Sequence, residues 1–141
     1  MPIDAQGAFS HTFPVTADMI DRQNHVNNVV YVQWMQDVAI AHSRACGGYA
    51  AMEQAGGTWV ARAHHIEYLK PAYLDDVITA RTWIFDATKV RSRRRYQFHR
   101  VADGALIARG ETDWVYIDED TGRPIAIPEI VRACYPVLEN G

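Results

Sequence analysis

Between residues 21 and 31 the chain reads Asp21-Arg22-Gln23-Asn24-His25-Val26-Asn27-Asn28-Val29-Val30-Tyr31, a polar segment that runs straight into a helical pattern. It sets a carboxylate, an imidazole and several amides beside a helix start. Such a start carries backbone N–H groups without intrahelical partners and a partial positive charge, and both favour anions and polarised carbonyls. Polar side chains there are also ordinary caps. Four of them together, followed by aromatics spaced as a buried face, exceed what capping requires.

The elements that must position this segment follow from periodicity. Ala8 to Val15, with Phe9, Thr12, Phe13 and Val15, is β-prone, and Pro14 confines it to an edge or a strand end. Tyr31, Trp34, Met35, Val38, Ala41, Ala45 and Tyr49 recur at three- and four-residue steps, which predicts one long amphipathic helix, weakened by Gly47-Gly48 and ended by Gly56-Gly57. The period then changes. Thr58 to Leu69, Val77 to Phe85, Val90 to Val101 and Ala105 to Ile117 read as strands, with Asp103-Gly104 as a hairpin signal between the last two. Pro128 to Ala133 reads as a short capped helix. A strand, a long helix and about four strands on short connections make an α+β pattern, an antiparallel sheet with one helix against a face. A single helix leaves part of that sheet uncovered. Trp83, Phe85, Tyr96, Phe98, Trp114 and Tyr116 are therefore expected to include residues buried against a second subunit, with a homodimer as the minimum.

Composition narrows the function classes. The 141 residues, 48% hydrophobic and 22% charged, fit one globular domain spanning residues 1–141. No apolar run approaches a membrane span and the first residues lack the order of a signal peptide, so a cytoplasmic protein without a membrane partner is expected. A net charge of −3 argues against general nucleic-acid binding. Cys46 and Cys134 match no metal or redox spacing and read as reduced thiols. His64, His65 and Glu67 lack a third ligand with motif spacing, so cross-strand pairing is preferred to a metal site. Arg91, Arg93, Arg94 and Arg95 with Lys89 form the most basic run; alternation puts Arg91, Arg93 and Arg95 on one strand face and Arg94, Tyr96 and Phe98 on the other. Such a run is usually a solvated or edge-protecting face, although planar guanidinium forks also suit phosphate groups.

Asp21-x-x-Asn24-His25-Val26-Asn27-Asn28-x-x-Tyr31-x-x-Trp34 resembles the loop of the hotdog-fold acyl thioesterases, the 4-hydroxybenzoyl-CoA thioesterase family, and is similar to the Asp-x-x-x-His-Val-Asn-Asn-x-x-Tyr run of plant acyl-carrier-protein thioesterases. Ile66 to Asp76, Thr121-Gly122-Arg123-Pro124 and Ile127-Pro128 also look like family segments. The resemblance implies a hotdog fold, a five-stranded antiparallel sheet wrapped around one long α-helix, paired as a homodimer or homotetramer with active sites at the subunit interface. It implies hydrolysis of an acyl-CoA, or of an acyl-carrier-protein thioester, without metal or other cofactor. Asp21 would attack the acyl carbon or act as general base on water, and backbone N–H groups around Asn27 and Asn28 would hold the oxyanion. His25 would orient Asp21 or the substrate, or simply bond a backbone carbonyl. The resulting set is Asp21, His25 and Asn28 for catalysis, with Asn24, Asn27, Tyr31, Arg91 and Arg93 as substrate contacts. Asn24 departs from the glycine common in the bacterial branch, and Gln23 from the asparagine of the plant enzymes. The competing reading is a hotdog domain that binds acyl thioesters without turnover.

Overall fold

Strand alternation decides which side of the sheet is apolar. The computed structural model describes residues 2–139; Met1 and the last two residues, part of the single-domain expectation, lie outside the described residues. Five strands, β1 (Phe9–Pro14), β2 (Gly57–Tyr68), β3 (Val77–Ala87), β4 (Arg91–Arg100) and β5 (Leu106–Asp118), form one sheet in the order β1-β3-β4-β5-β2, every neighbouring pair antiparallel. Cross-strand partners share a face, so Ile78, Ala80, Thr82 and Ile84 line up with Arg94, Tyr96 and Phe98 and with Ala108, Gly110 and Thr112 on the inner side. Against it lies α1 (Asn28–Cys46), which buries Tyr31, Trp34, Met35, Val38, Ala39 and His42. This is the α+β architecture expected from the sequence.

Close approach of α1 to the sheet depends on Gly110. A Cβ there would come within 2.9 Å of the His65 carbonyl oxygen and 3.2 Å of Met35 Cε, so the missing side chain seats Met35 on β5. The outer face is polar and laced with ion pairs, including Arg95–Glu111 at 3.0 Å and Arg109–Glu67 at 2.9 Å.

Two expectations are corrected. The helix is not continuous to Tyr49: Gly47 adopts a left-handed conformation (φ 85°), ending α1, and α2 (Gly48–Ala55) sets off on a new axis. Gly48 is needed at the break, since a Cβ would fall 2.1 Å from the Tyr135 hydroxyl. The β4–β5 hairpin signalled by Asp103-Gly104 is present, its connection a five-residue loop with Gly104 at φ 69° and the Gly104 N–H bonded to the Arg100 carbonyl at 2.8 Å. The C-terminal helix α3 (Glu129–Arg132) begins after Pro128 without a side-chain cap.

The aromatics expected to reach another subunit are largely used within the chain. Trp83, Tyr96, Phe98 and Tyr116 are buried, and Phe85 is half-covered by Arg95, whose guanidinium carbon stands 3.9 Å from its ring centre. Of the two edge strands among the described residues, β1 is bridged by Ile3 at Phe9, whereas the outer edge of β2 is paired only with β5; Val29 on α1 is also exposed. No described helix is long and apolar enough to cross a membrane.

Candidate active site

The segment before α1 is held by main-chain bonds. After β1, Val15 N–H bonds the Asp76 carbonyl at 2.8 Å, and a single 3₁₀ turn over Ala17–Met19 redirects the chain. Ile20 and Val26 then form an antiparallel bridge that closes a small loop around Asp21–His25. Val26 N–H donates to the Ala72 carbonyl at 2.8 Å and Asn27 N–H to the Met19 carbonyl at 2.9 Å. Buried Val26 completes the anchor. Inside the loop Asp21 N–H meets the His25 carbonyl at 3.0 Å, Asn24 N–H meets the Asp21 carbonyl at 3.1 Å, and Asn24 sits at φ 65°. Asparagine is among the few side-chain-bearing residues that visit this region readily, so its departure from the family glycine conserves the backbone.

At the helix start Asn27 is the N-cap, its Oδ1 accepting from Val29 N–H at 3.1 Å. The Asn27 N–H expected in the oxyanion hole is already engaged by Met19, which corrects that part of the reading. Asn28 is the first helical residue; among the described residues its N–H has no hydrogen-bond partner, and its carbonyl accepts from the Tyr68 hydroxyl at 3.1 Å. One free donor therefore stands at the positive end of the helix dipole.

The half-buried Asp21 carboxylate accepts from Gln23 N–H at 2.8 Å, an Asx turn that fixes its rotamer while leaving the other oxygen without a partner among the described residues. His25 Nδ1 lies 3.9 Å from Asp21 Oδ1, within electrostatic reach but beyond a hydrogen bond. Asp21, Asn24, His25, Asn27 and Asn28 are thus brought together in one loop and cap. Tyr31 is not in that loop: its ring packs edge-on against Trp34 and Phe98 in the core, where burial pushes its phenol up to about 12.

Arg91 and Arg93 lie elsewhere. Both are on the outer face at the start of β4, whereas the Asp21 loop is tied to Asp76 and Ala72 at the end of the sheet where β4 finishes. Nine residues of strand separate the two regions, about 30 Å at ~3.3 Å per residue. Arg91 is forked onto Asp113, and Arg93 stands 3.8 Å from Asp86 and 3.9 Å from Glu111. Within one chain the structure does not bring them to Asp21. His64 bonds Thr112 across strands at 2.8 Å, and Glu67 pairs Arg109.

One polar cluster escaped the sequence reading. His42 continues the α1 stripe one turn after Val38 and is buried where an apolar residue was expected; the three- and four-residue spacing was the available signal. Arg94 Nη1 donates to His42 Nδ1 at 2.8 Å and to Thr82 Oγ1 at 3.1 Å. Burial, and secondarily the Arg94 charge, hold the His42 imidazole down to about 3, so it is neutral and accepts through Nδ1. Beside this cluster a cavity of about 270 Å³ opens between α1, α2 and the inner face of the sheet.

The five-stranded antiparallel sheet against one long helix defines a hotdog fold. The chain belongs to the thioesterase-like superfamily, whose model it matches over residues 15–134. It is 30% identical over 111 residues to the chloroplastic oleoyl-acyl carrier protein thioesterase 2 of Arabidopsis thaliana, an alignment covering 74% of this chain and 30% of the plant protein. The chain thus spans about a third of the length of that relative. A Staphylococcus aureus protein solved in complex with CoA superposes with a TM-score of 0.80 at 27% identity, covering 92% of this chain and 82% of that one. The 1,4-dihydroxy-2-naphthoyl-CoA thioesterase of Synechocystis shares the fold, with a TM-score of 0.82 at 17% identity over 91% of this chain and 95% of that one.

Proposed function

We propose that the chain hydrolyses acyl-CoA thioesters to a carboxylic acid and free CoA. The observation that carries this reading is the Asp21 carboxylate, oriented by its turn, in the same loop and cap as the unpartnered Asn28 N–H. With the thioester carbonyl oxygen on that N–H, the helix dipole and the donor stabilise the charge that develops as the acyl carbon becomes tetrahedral. Two routes start from Asp21. As general base it takes a proton from water, the water oxygen bonds the acyl carbon, and the C–S bond breaks to release the CoA thiolate, which is then protonated. As nucleophile it expels the thiolate to form a mixed anhydride, which water cleaves. His25 Nδ1, 3.9 Å from Asp21 Oδ1, is too far to bond it directly and stands in the same loop as a substrate-facing group.

We further propose that the working unit is at least a homodimer joined along β2, whose free edge spans twelve residues. Val60 on that strand and Val29 on α1 are 39% and 72% exposed, apolar area that a second copy would cover. Arg91 and Arg93 dock CoA phosphates only in a site built from two copies.

The test is thiol release from a panel of aliphatic and aromatic acyl-CoAs and acyl-carrier-protein thioesters, comparing wild type with Asp21→Asn. The amide preserves the acceptor for Gln23 N–H and removes the charge, so the fold stays and the rate drops about 100- to 10,000-fold, the scale of a lost acid–base group. Unchanged turnover in the variant removes Asp21 from the mechanism. Saturable binding with no turnover over the whole panel in wild type would instead make the chain a binding module.

A further inference from the structure

The cavity beside α1 has a feature that thioester hydrolysis does not use. Arg94, on its wall, is 3% exposed, and it has no carboxylate within ion-pair distance among the described residues. Guanidinium stays charged under any physiological condition. Its two recorded bonds, to His42 and Thr82, both leave from Nη1, and its buried Nε–H has no partner. The groups around it cannot serve as counter-ions: burial pushes the Tyr135 phenol up to about 12 and raises Cys46 and Tyr96, so all three stay protonated and neutral. His42, held neutral, adds no negative charge. An unpaired buried cation is among the most expensive groups a fold can hold, and each of its neighbours can only mitigate the cost by hydrogen bonding.

The rest of the wall is of another kind. Ala39, Ile40, Met52, Trp59 and Trp114 make it mostly apolar, and the volume corresponds to roughly nine waters at ~30 Å³ each. Ile40, 45% exposed, marks the side open to solvent.

We propose that this cavity binds an apolar molecule bearing a carboxylate, with Arg94 as the counter-ion and the Trp59 and Met52 side chains around the hydrocarbon. The anion supplies the acceptor that Nε–H lacks and neutralises the buried charge, while the apolar wall selects the stem. This carboxylate can come from the far end of an acyl group or from a free carboxylic acid. The assignment does not depend on hydrolysis at Asp21.

Titration calorimetry of the full chain with hexanoate and phenylacetate, against hexanamide and phenylacetamide as neutral isosteres, tests the site. The acids should bind at least about tenfold more tightly than the amides, the scale of a charge-assisted hydrogen bond, and Arg94→Met should abolish that preference. Should Arg94→Met fail to fold, Ile40→Trp, at the exposed side, should block the acids by filling the cavity. Equal binding of acid and amide to wild type overturns the proposal, as does an acid preference that survives Arg94→Met or undiminished acid binding by Ile40→Trp. A second arm separates the sources: faster thiol release from 15-carboxypentadecanoyl-CoA, long enough to span the ~20 Å from the Asn28 helix start to His42 and Arg94, than from hexadecanoyl-CoA, lost in Arg94→Met, assigns the carboxylate to the acyl end, whereas acid binding without that rate preference assigns it to a free acid. Acid binding without cleavage of any thioester would leave this site standing and remove the hydrolytic reading alone.

Discussion

At the scale of single residues, Asn24 and His42 show how backbone and burial decide a side chain's meaning. Asn24 stands where the family resemblance implied glycine, and its φ of 65° is the conformation that glycine would serve. Asn24→Gly should therefore leave stability within about 0.5 kcal/mol, while Asn24→Val, whose branched Cβ resists this region, should cost about 1–3 kcal/mol in denaturant melts. His42 gives a pH dependence. Its folded value of about 3 lies below an unfolded value near 6.5, so between those limits the unfolded chain binds the proton and the folded chain does not. Stability is full above pH ~6.5 and falls as the pH drops toward 3, by a few kcal/mol. His42→Gln, which keeps an acceptor for Arg94 and does not titrate, should flatten that slope in melting curves taken across the same window. An unchanged slope would place the acid sensitivity elsewhere.

At the scale of elements, the break between α1 and α2 is set by what packs on it. Because a Cβ on Gly48 would overlap the half-buried Tyr135 ring, which is fixed by its hydroxyl bond to Ser43 Oγ at 2.8 Å, Gly48→Ala should destabilise by about 1–3 kcal/mol as the ring is displaced. Differential scanning calorimetry reads the loss directly. The same pair of glycines marks where sequence reading reaches its limit. The period that carries Tyr31, Trp34, Met35 and Val38 into the core is local and legible, and so is strand alternation, which separated Arg94 from Arg91 and Arg93 correctly. The break at Gly47 is not, because either glycine could be helical; Tyr135, more than eighty residues downstream, decides the matter. The loop was legible as a cluster of polar residues running into a helix start, with Asn27 as the N-cap and Asn28 as the first helical residue. The engagement of Asn27 N–H by Met19 was not legible, nor the distance of Arg91 from the loop, since both depend on how strand ends meet. His42 was missed for the opposite reason: the pattern was there, but a polar residue in an apolar stripe makes sense only once Arg94 appears across from it.

At the scale of the whole molecule, the long free edge of β2 and the exposed apolar surface beside it need a cover. Under the proposed homodimer a second copy would cover both, and sedimentation velocity should report about twice the chain mass; Val60→Glu, which sets charges along the paired edges, should shift the boundary toward the monomer. A wild-type boundary at monomer mass would remove the shared site, and with it any role for Arg91 and Arg93 in docking CoA. The way the reactive loop is tethered has a separate consequence. Its two anchoring acceptors are main-chain carbonyls of Met19 and Ala72, atoms that every amino acid supplies. Side chains at positions 21 to 25 are thereby relieved of holding the loop in place, apart from the Asx turn of Asp21 onto Gln23 N–H and the left-handed turn at Asn24. The segment behaves as an interchangeable cassette: new reactive groups can be written into it by substitution, with the sheet and α1 keeping them at the same helix terminus.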